Sequence, residues 1–213
     1  MNEVLFKPIT AKEFLEWIPE NSNKRYELHN GAIVEMSQPT GEHEDVTGFL
    51  TIEISSEIKR LKLPYSVPKT ALIQSASSES AYSPDILILN KLALKLEELW
   101  AKYSTVQRGT SIPLVIEVVS SNWRDDYYKK LGEYVGRSPS RRVEIKIPEY
   151  WIVDYLGLGG IKYIGNPKQP TLSIYNLVND EYQINQFRGN DRIISTAFPE
   201  LQLTAQQIFN GAL

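Results

Sequence analysis

The spacing of apolar and polar positions divides the chain into short segments of changing period. Thr10-Ala11-Lys12-Glu13 has capping-box spacing, and Phe14, Leu15 and Ile18 supply an apolar stripe, so a first helix is expected to start at Thr10. Residues 25–28 and 32–36 flank His29-Asn30-Gly31, whose Asn-Gly pair predicts a tight hairpin. Phe49, Leu50, Ile54, Ile58 and Leu61 recur at helical intervals and predict a helix over residues 42–61. Residues 67–73 read as a strand, and the amphipathic stretch 91–103 as a helix or a surface excursion. Residues 150–154 form an apolar core strand. Residues 161–164, 171–178 and 182–187 read as a meander of shorter strands, and 204–209 as a closing helix. This order predicts an α/β or α+β domain around one mixed sheet, with residues 1–213 as a single domain.

Two acidic residues break this pattern. Asp85 opens the apolar run Ile86-Leu87-Ile88-Leu89, and Glu117 interrupts Leu114-Val115-Ile116-Glu117-Val118-Val119. Both runs read as buried strands, where a carboxylate needs a partner because burying it alone costs several kcal/mol, roughly. After Ser120-Ser121-Asn122 comes a predicted helix carrying Asp126, Lys130 and Tyr134 at i, i+4 and i+8, stacked on one face. If the two strands pair, Asp85 and Glu117 can share a hard divalent cation, and Lys130 can orient water or stabilise charge at a phosphate. Each acid could equally cap a turn or pair with an arginine. A glycosidase-type carboxylate pair is a third reading, and it leaves Lys130 without a role.

Composition narrows the chemistry. The formal net charge of −3 over 213 residues argues against a protein that coats nucleic acid non-specifically. With no cysteine, disulfides, thiolate metal sites and cysteine nucleophiles are excluded, and two histidines, His29 and His43, make a histidine-rich zinc site improbable. The N-terminus has no signal-like segment and no apolar run is long enough to span a bilayer, so a cytoplasmic protein is expected. His43, near a predicted helix start, could meet a phosphate or cap the helix. Arg137, Arg141, Arg142 and Lys146 form the densest basic stretch, either a phosphate-contacting loop or a solvated one.

The motifs also occur in a familiar order: Tyr26-Glu27-Leu28 with Gly31, Glu35-Met36-Ser37, Gly41-Glu42-His43, Pro84-Asp85, Glu117-Val118-Val119-Ser120, Asp126 with Lys130 and Tyr134, and Pro148-Glu149-Tyr150-Trp151-Ile152-Val153-Asp154. In this the chain resembles the Uma-type family of bacterial restriction-endonuclease-like proteins, within the PD-(D/E)XK nuclease superfamily, from about residue 10 to 209. The resemblance implies a restriction-endonuclease-like core with flanking helices and a C-terminal strand meander. It also implies a Mg2+- or Mn2+-dependent endonuclease acting on DNA, with a homodimer as the expected assembly. Asp85 and Glu117 would be the metal-binding acids and Glu27 an N-terminal glutamate of the same site. The superfamily's usual lysine position, two residues after the glutamate, is Val119 here. The family pattern places a lysine on the following helix, which matches Lys130, with Lys129 as substitute if the helix phase is one residue off. The alternative is a nuclease-fold DNA-binding or regulatory scaffold without turnover.

Overall fold

The computed structural model of the chain describes residues 8–19, 24–75, 77–134 and 145–212. Helix α1 (Ala11–Trp17) begins as the capping box predicts, with Glu13 N–H donating to Thr10 Oγ1 and Thr10 N–H donating to Glu13 Oε2. Strands β1 (Tyr26–His29) and β2 (Ala32–Glu35) form the hairpin, turned by Asn30 and Gly31 at φ of 50° and 78°. A Cβ on Gly31 would lie 2.4 Å from that of Pro8, so both conformation and space favour glycine there. Helix α2 (Gly41–Arg60) matches the predicted apolar stripe and is capped by Thr40.

Strands β3 (Tyr65–Ser66), β4 (Leu72–Gln74), β5 (Ala81–Tyr82) and β6 (Ile86–Asn90) follow. The single strand expected over residues 67–73 is replaced by β3 and β4, which flank Pro68, a residue with no N–H for a sheet ladder. The expected helix over residues 91–103 is also broken. A 3-10 turn (Ala93–Leu96) ends at Glu97, whose backbone turns extended, and α3 (Trp100–Tyr103) completes the excursion. The buried Glu97 carboxylate accepts the N–H groups of Gln107 and Arg108, just beyond β7 (Thr105–Val106), and so ties the excursion down.

Strand β8 (Leu114–Val118) leads to a π-helical turn (Asp125–Lys130) that runs into α4 (Leu131–Tyr134). The chain ends with β9 (Glu149–Asp154), α5 (Ile161–Ile164), β10 (Thr171–Val178), β11 (Glu181–Phe187) and α6 (Ala205–Phe209). Residues 161–164, expected as a strand, form one helical turn bracketed by Gly160 and Gly165, with Ile164 buried and Ile161 exposed. Four residues are too few for periodicity to separate the two conformations.

Strand pairing splits into two mixed sheets rather than one: a smaller sheet ordered β2-β1-β5-β4-β7 and a larger one ordered β11-β10-β9-β8-β6-β3. In the larger sheet β8 and β9 run parallel, β6 pairs antiparallel with β8, and β9, β10 and β11 make the C-terminal meander. One face packs Val46, Leu50 and Ile54 of α2 on Ile86, Ile116, Trp151 and Val153. The other packs Tyr127, Leu131 and Tyr134 on Leu87, Val115, Val119 and Ile152. Full burial of such a side chain is worth about 1.5–3 kcal/mol, so helices on both faces hold the central strands in place. Among the described residues no helix is long and apolar enough to cross a membrane.

Glu149, fully buried at the head of β9, is a fastening point of the larger sheet. Its carboxylate accepts from Trp151 Nε1, Ser195 Oγ, the hydroxyl and N–H of Thr196, and Ala197 N–H. Glu149→Ala would leave several buried donors unmatched and should lower stability by about 3 kcal/mol or more in urea denaturation. The exposed Glu181→Ala control should change it by less than about 0.5 kcal/mol.

Candidate active site

The register of β6 against β8 pairs Ile86 with Ile116, and one step outward it sets Asp85 opposite Glu117. Side-chain alternation directs Glu117 to the face of Val115 and Val119, beneath the helical segment that carries Lys130. Glu117 is fully buried, and Lys130 Nζ donates to its Oε2 at 2.9 Å. Asp126 Oδ1 lies 3.7 Å from the same ammonium and Glu27 Oε1 3.8 Å from it. The widened π turn ends at Lys130, placing Asp126 and Lys130 together above the sheet. Three of the four sequence-predicted site residues, Glu27, Glu117 and Lys130, thus meet around one ammonium, and Asp85 stands beside them across the strand pair.

Glu27 arrives from the smaller sheet. It is fully buried, accepts from His29 Nε2 at 2.7 Å and takes the Ser83 N–H at 2.9 Å. Its hydrogen-bond partners are therefore on its own strand and on the segment joining β5 to β6, its ion-pair partner Lys130 is on the helical segment, and the residue facing it across the hairpin is Val34. Asp85 follows Ser83 and Pro84 and is fixed from two sides. Its Oδ2 accepts the Val118 N–H at 2.8 Å and lies 3.3 Å from His43 Nε2. His43 Nε2 is also 3.0 Å from the Val118 carbonyl, which can only accept, so this nitrogen carries the proton. Asp85 keeps 18 % of its side-chain exposure while Glu27 and Glu117 keep none, so the cluster meets solvent at Asp85.

The local fields follow from this geometry. Burial raises the Glu117 carboxyl well above the ordinary range; Lys130 opposes the rise, and Asp85 and Asp126 add to it. Burial alone would lower Lys130, but Glu117, Glu27 and Asp126 more than reverse that, leaving the ammonium strongly held. Burial likewise works against Asp85 and Glu27 as anions. His43 and Lys130 nevertheless keep Asp85 below its usual value, and Lys130, His29 and Ser83 do the same for Glu27. His43 is raised, its desolvation outweighed by Asp85 and the Val118 carbonyl.

Among the described residues no three acidic or histidine side chains converge as a ready-made metal cage. The donor set still suits a hard cation. Glu117 Oε1 is buried with no hydrogen-bond partner, and Asp85 spends only Oδ2 on its neighbours. Magnesium is commonly held by one or two carboxylates with several waters, which two facing acids provide.

Val119 fills the position two residues beyond Glu117 with a fully buried side chain, and its N–H donates to the Val153 carbonyl. Tyr134 is buried against Tyr82 and Tyr150, and its hydroxyl has no hydrogen-bond partner among the described residues. Arg137, Arg141 and Arg142 of the basic stretch lie outside the described residues, and Lys146 pairs with Asp180 at 2.8 Å. His43 was readable only as a helix-start histidine in Gly41-Glu42-His43, because its partner Asp85 belongs to a distant strand.

A mixed sheet with parallel central strands and helices packed on both faces is a restriction-endonuclease-like arrangement. The chain belongs to the Uma2 family, described as "Putative restriction endonuclease", whose pattern matches residues 11–206. Among solved structures it is similar to "a putative nuclease belonging to DUF820" from Anabaena variabilis. The TM-score is 0.70 at 18% identity, over 97% of this chain and 100% of the other. No curated protein matches the sequence.

Removing the ammonium should expose the cost of the buried acids. Lys130→Met is expected to lose about 3–5 kcal/mol in chemical denaturation, and Glu117→Gln in the same chain should recover much of it. The deficit should shrink as pH falls from neutral toward 4.5, since a carboxyl raised in the folded state binds its proton more tightly there and acid then favours folding.

Proposed function

We propose that the protein is a metal-dependent endonuclease that hydrolyses phosphodiester bonds in DNA. The observation that carries this reading is the 2.9 Å contact of Lys130 with Glu117, on the strand that faces Asp85. An amine from the helix thereby stands near the acids in place of the lysine that Val119 does not supply. Asp85 and Glu117 would hold Mg2+ or Mn2+, which when bound contributes Lewis acidity toward phosphate and water. Lys130 places positive charge where a phosphate would gather negative charge, and it positions the attacking water. Glu27 and Asp126, 3.8 and 3.7 Å from that amine, help to fix it. His43 holds Asp85 in one rotamer through Oδ2, which leaves Oδ1 for the cation.

DNA is the substrate that the family description favours, and two active sites are the economical means of cutting two strands, so a homodimer belongs to the same proposal. A nuclease-fold scaffold without turnover is the second reading. Val119 favours it, because a fully buried valine stands at the superfamily's usual lysine position beside the acids.

Plasmid cleavage with Mg2+ or Mn2+ separates the two. Asp85→Ala and Lys130→Ala should each slow cleavage by about 100-fold or more, and unchanged rates in both would reject the assignment. His43→Ala should raise the Mg2+ concentration for half-maximal cleavage about 10–100-fold with a smaller effect at saturation. In a scaffold, DNA binding would be indifferent to metal, and Asp85→Asn would leave Mn2+ binding unaltered.

A further inference from the structure

On the side of β1 away from Glu27, a cavity of about 770 Å3 opens beside α1, α3 and the start of β4. Tyr26 lines it, and adjacent strand residues point to opposite faces, which separates the cavity from the acid cluster. The volume falls in the range of about 300–1,000 Å3 typical of small-ligand sites. Ser83 connects the two places: it lines the cavity, while its backbone N–H holds Glu27.

The wall offers hydrogen-bond donors and positive charge of which the protein uses only part: the Tyr103 hydroxyl engages Lys102, and Arg25 makes no ion pair among the described residues. Arg25 and Lys102 both line the cavity, and neither forms an ion pair among the described residues. Lys102 Nζ instead lies 4.8 Å from the centre of the Tyr103 ring, which also faces the cavity. The hydroxyls of Thr70, Ser83 and Ser104 make no hydrogen bond among the described residues. Lys24 is different, since it is committed to Glu35 at 2.8 Å. Glu16 is the single acid among the described lining residues, and it adds to the field at Lys102.

Two exposed cations outside any ion pair, with hydroxyls beside them, suit a phosphate, which accepts from all of them. The tyrosine rings suit a planar base or a sugar edge beside it. A concave site of this size admits one nucleotide and excludes a duplex. We propose that this cavity binds a nucleoside monophosphate unit, its phosphate on Arg25 and Lys102 and its base beside Tyr26 and Tyr103. The unit is either a free nucleotide or an unpaired end of a nucleic-acid strand.

The test is calorimetric titration of the full chain without divalent metal, so its outcome does not depend on the acids being catalytic. Deoxyadenosine monophosphate should bind saturably, and deoxyadenosine, which lacks the phosphate, about tenfold more weakly or worse. Arg25→Gln with Lys102→Gln should weaken binding by a similar factor, whereas Asp85→Asn should leave it unchanged. Thr70→Trp, which fills the cavity from an exposed position, should abolish it. Binding of a short single strand at the same sites, competing with the mononucleotide, would identify the strand as the source; binding of the mononucleotide alone would identify the free nucleotide. The proposal is overturned if neither ligand saturates at millimolar concentration, or if binding persists in the double variant and in Thr70→Trp.

Discussion

A carboxylate in the middle of a buried strand determines much of what surrounds it. Glu117 has apolar neighbours along β8 and none of the water that would solvate it, so its charge must be met from within the protein. The match comes from Lys130, and burying the lysine creates a second demand that Asp126 and Glu27 meet. Each group is tolerable because the others are present. The result joins three separate pieces of chain: the hairpin with Glu27, the central strand with Glu117 and the π-helical turn with Asp126 and Lys130. A π turn is uncommon and is often found at functional sites. Here it ends at the lysine that crosses to the sheet.

The same constraint explains why the lysine sits on the helix. Residues 117 and 119 point to one face of β8, so a lysine at 119 would also reach toward Glu117. That space is taken by Val119, which packs with Tyr127, Ile152 and Ile164 while its backbone extends pairing to β9. Hydrophobic packing at 119 and charge delivery from 130 form a consistent pair, because the helix that brings Lys130 also covers Val119 with Tyr127 and Leu131. Placing the cation on a helix makes its position depend on helix packing.

Much of this was legible in the sequence. Asp85 and Glu117 stood out because charge is costly in an apolar run, and Asp126 and Lys130 because their spacing joins them on one helical face. The capping box at Thr10 and the Asn30-Gly31 turn were readable because each is set by contacts within a few residues. Features set by distant partners were not. The extended break at Glu97 depends on N–H groups beyond β7, the His43–Asp85 contact joins α2 to the segment before β6, and Glu149 read as one member of a motif although it fastens residues 195–197. The division into two sheets is of the same kind, since register between short strands is decided by packing.

Acid carboxylates outnumber ammonium groups in the cluster, and the chain as a whole is negative. On the proposed function a phosphate approaching Asp85 would meet repulsion unless a cation came first, so affinity for each would depend on the other. Lys130 cannot supply that attraction alone, because Glu117 already engages it and it is almost fully buried. The structure has the amine neutralising Glu117; on the proposed function a divalent ion would take that task and leave the amine to the substrate. The change would then fall on the long Lys130 side chain, since Glu27 is held by Ser83 and Asp85 by His43 and Val118.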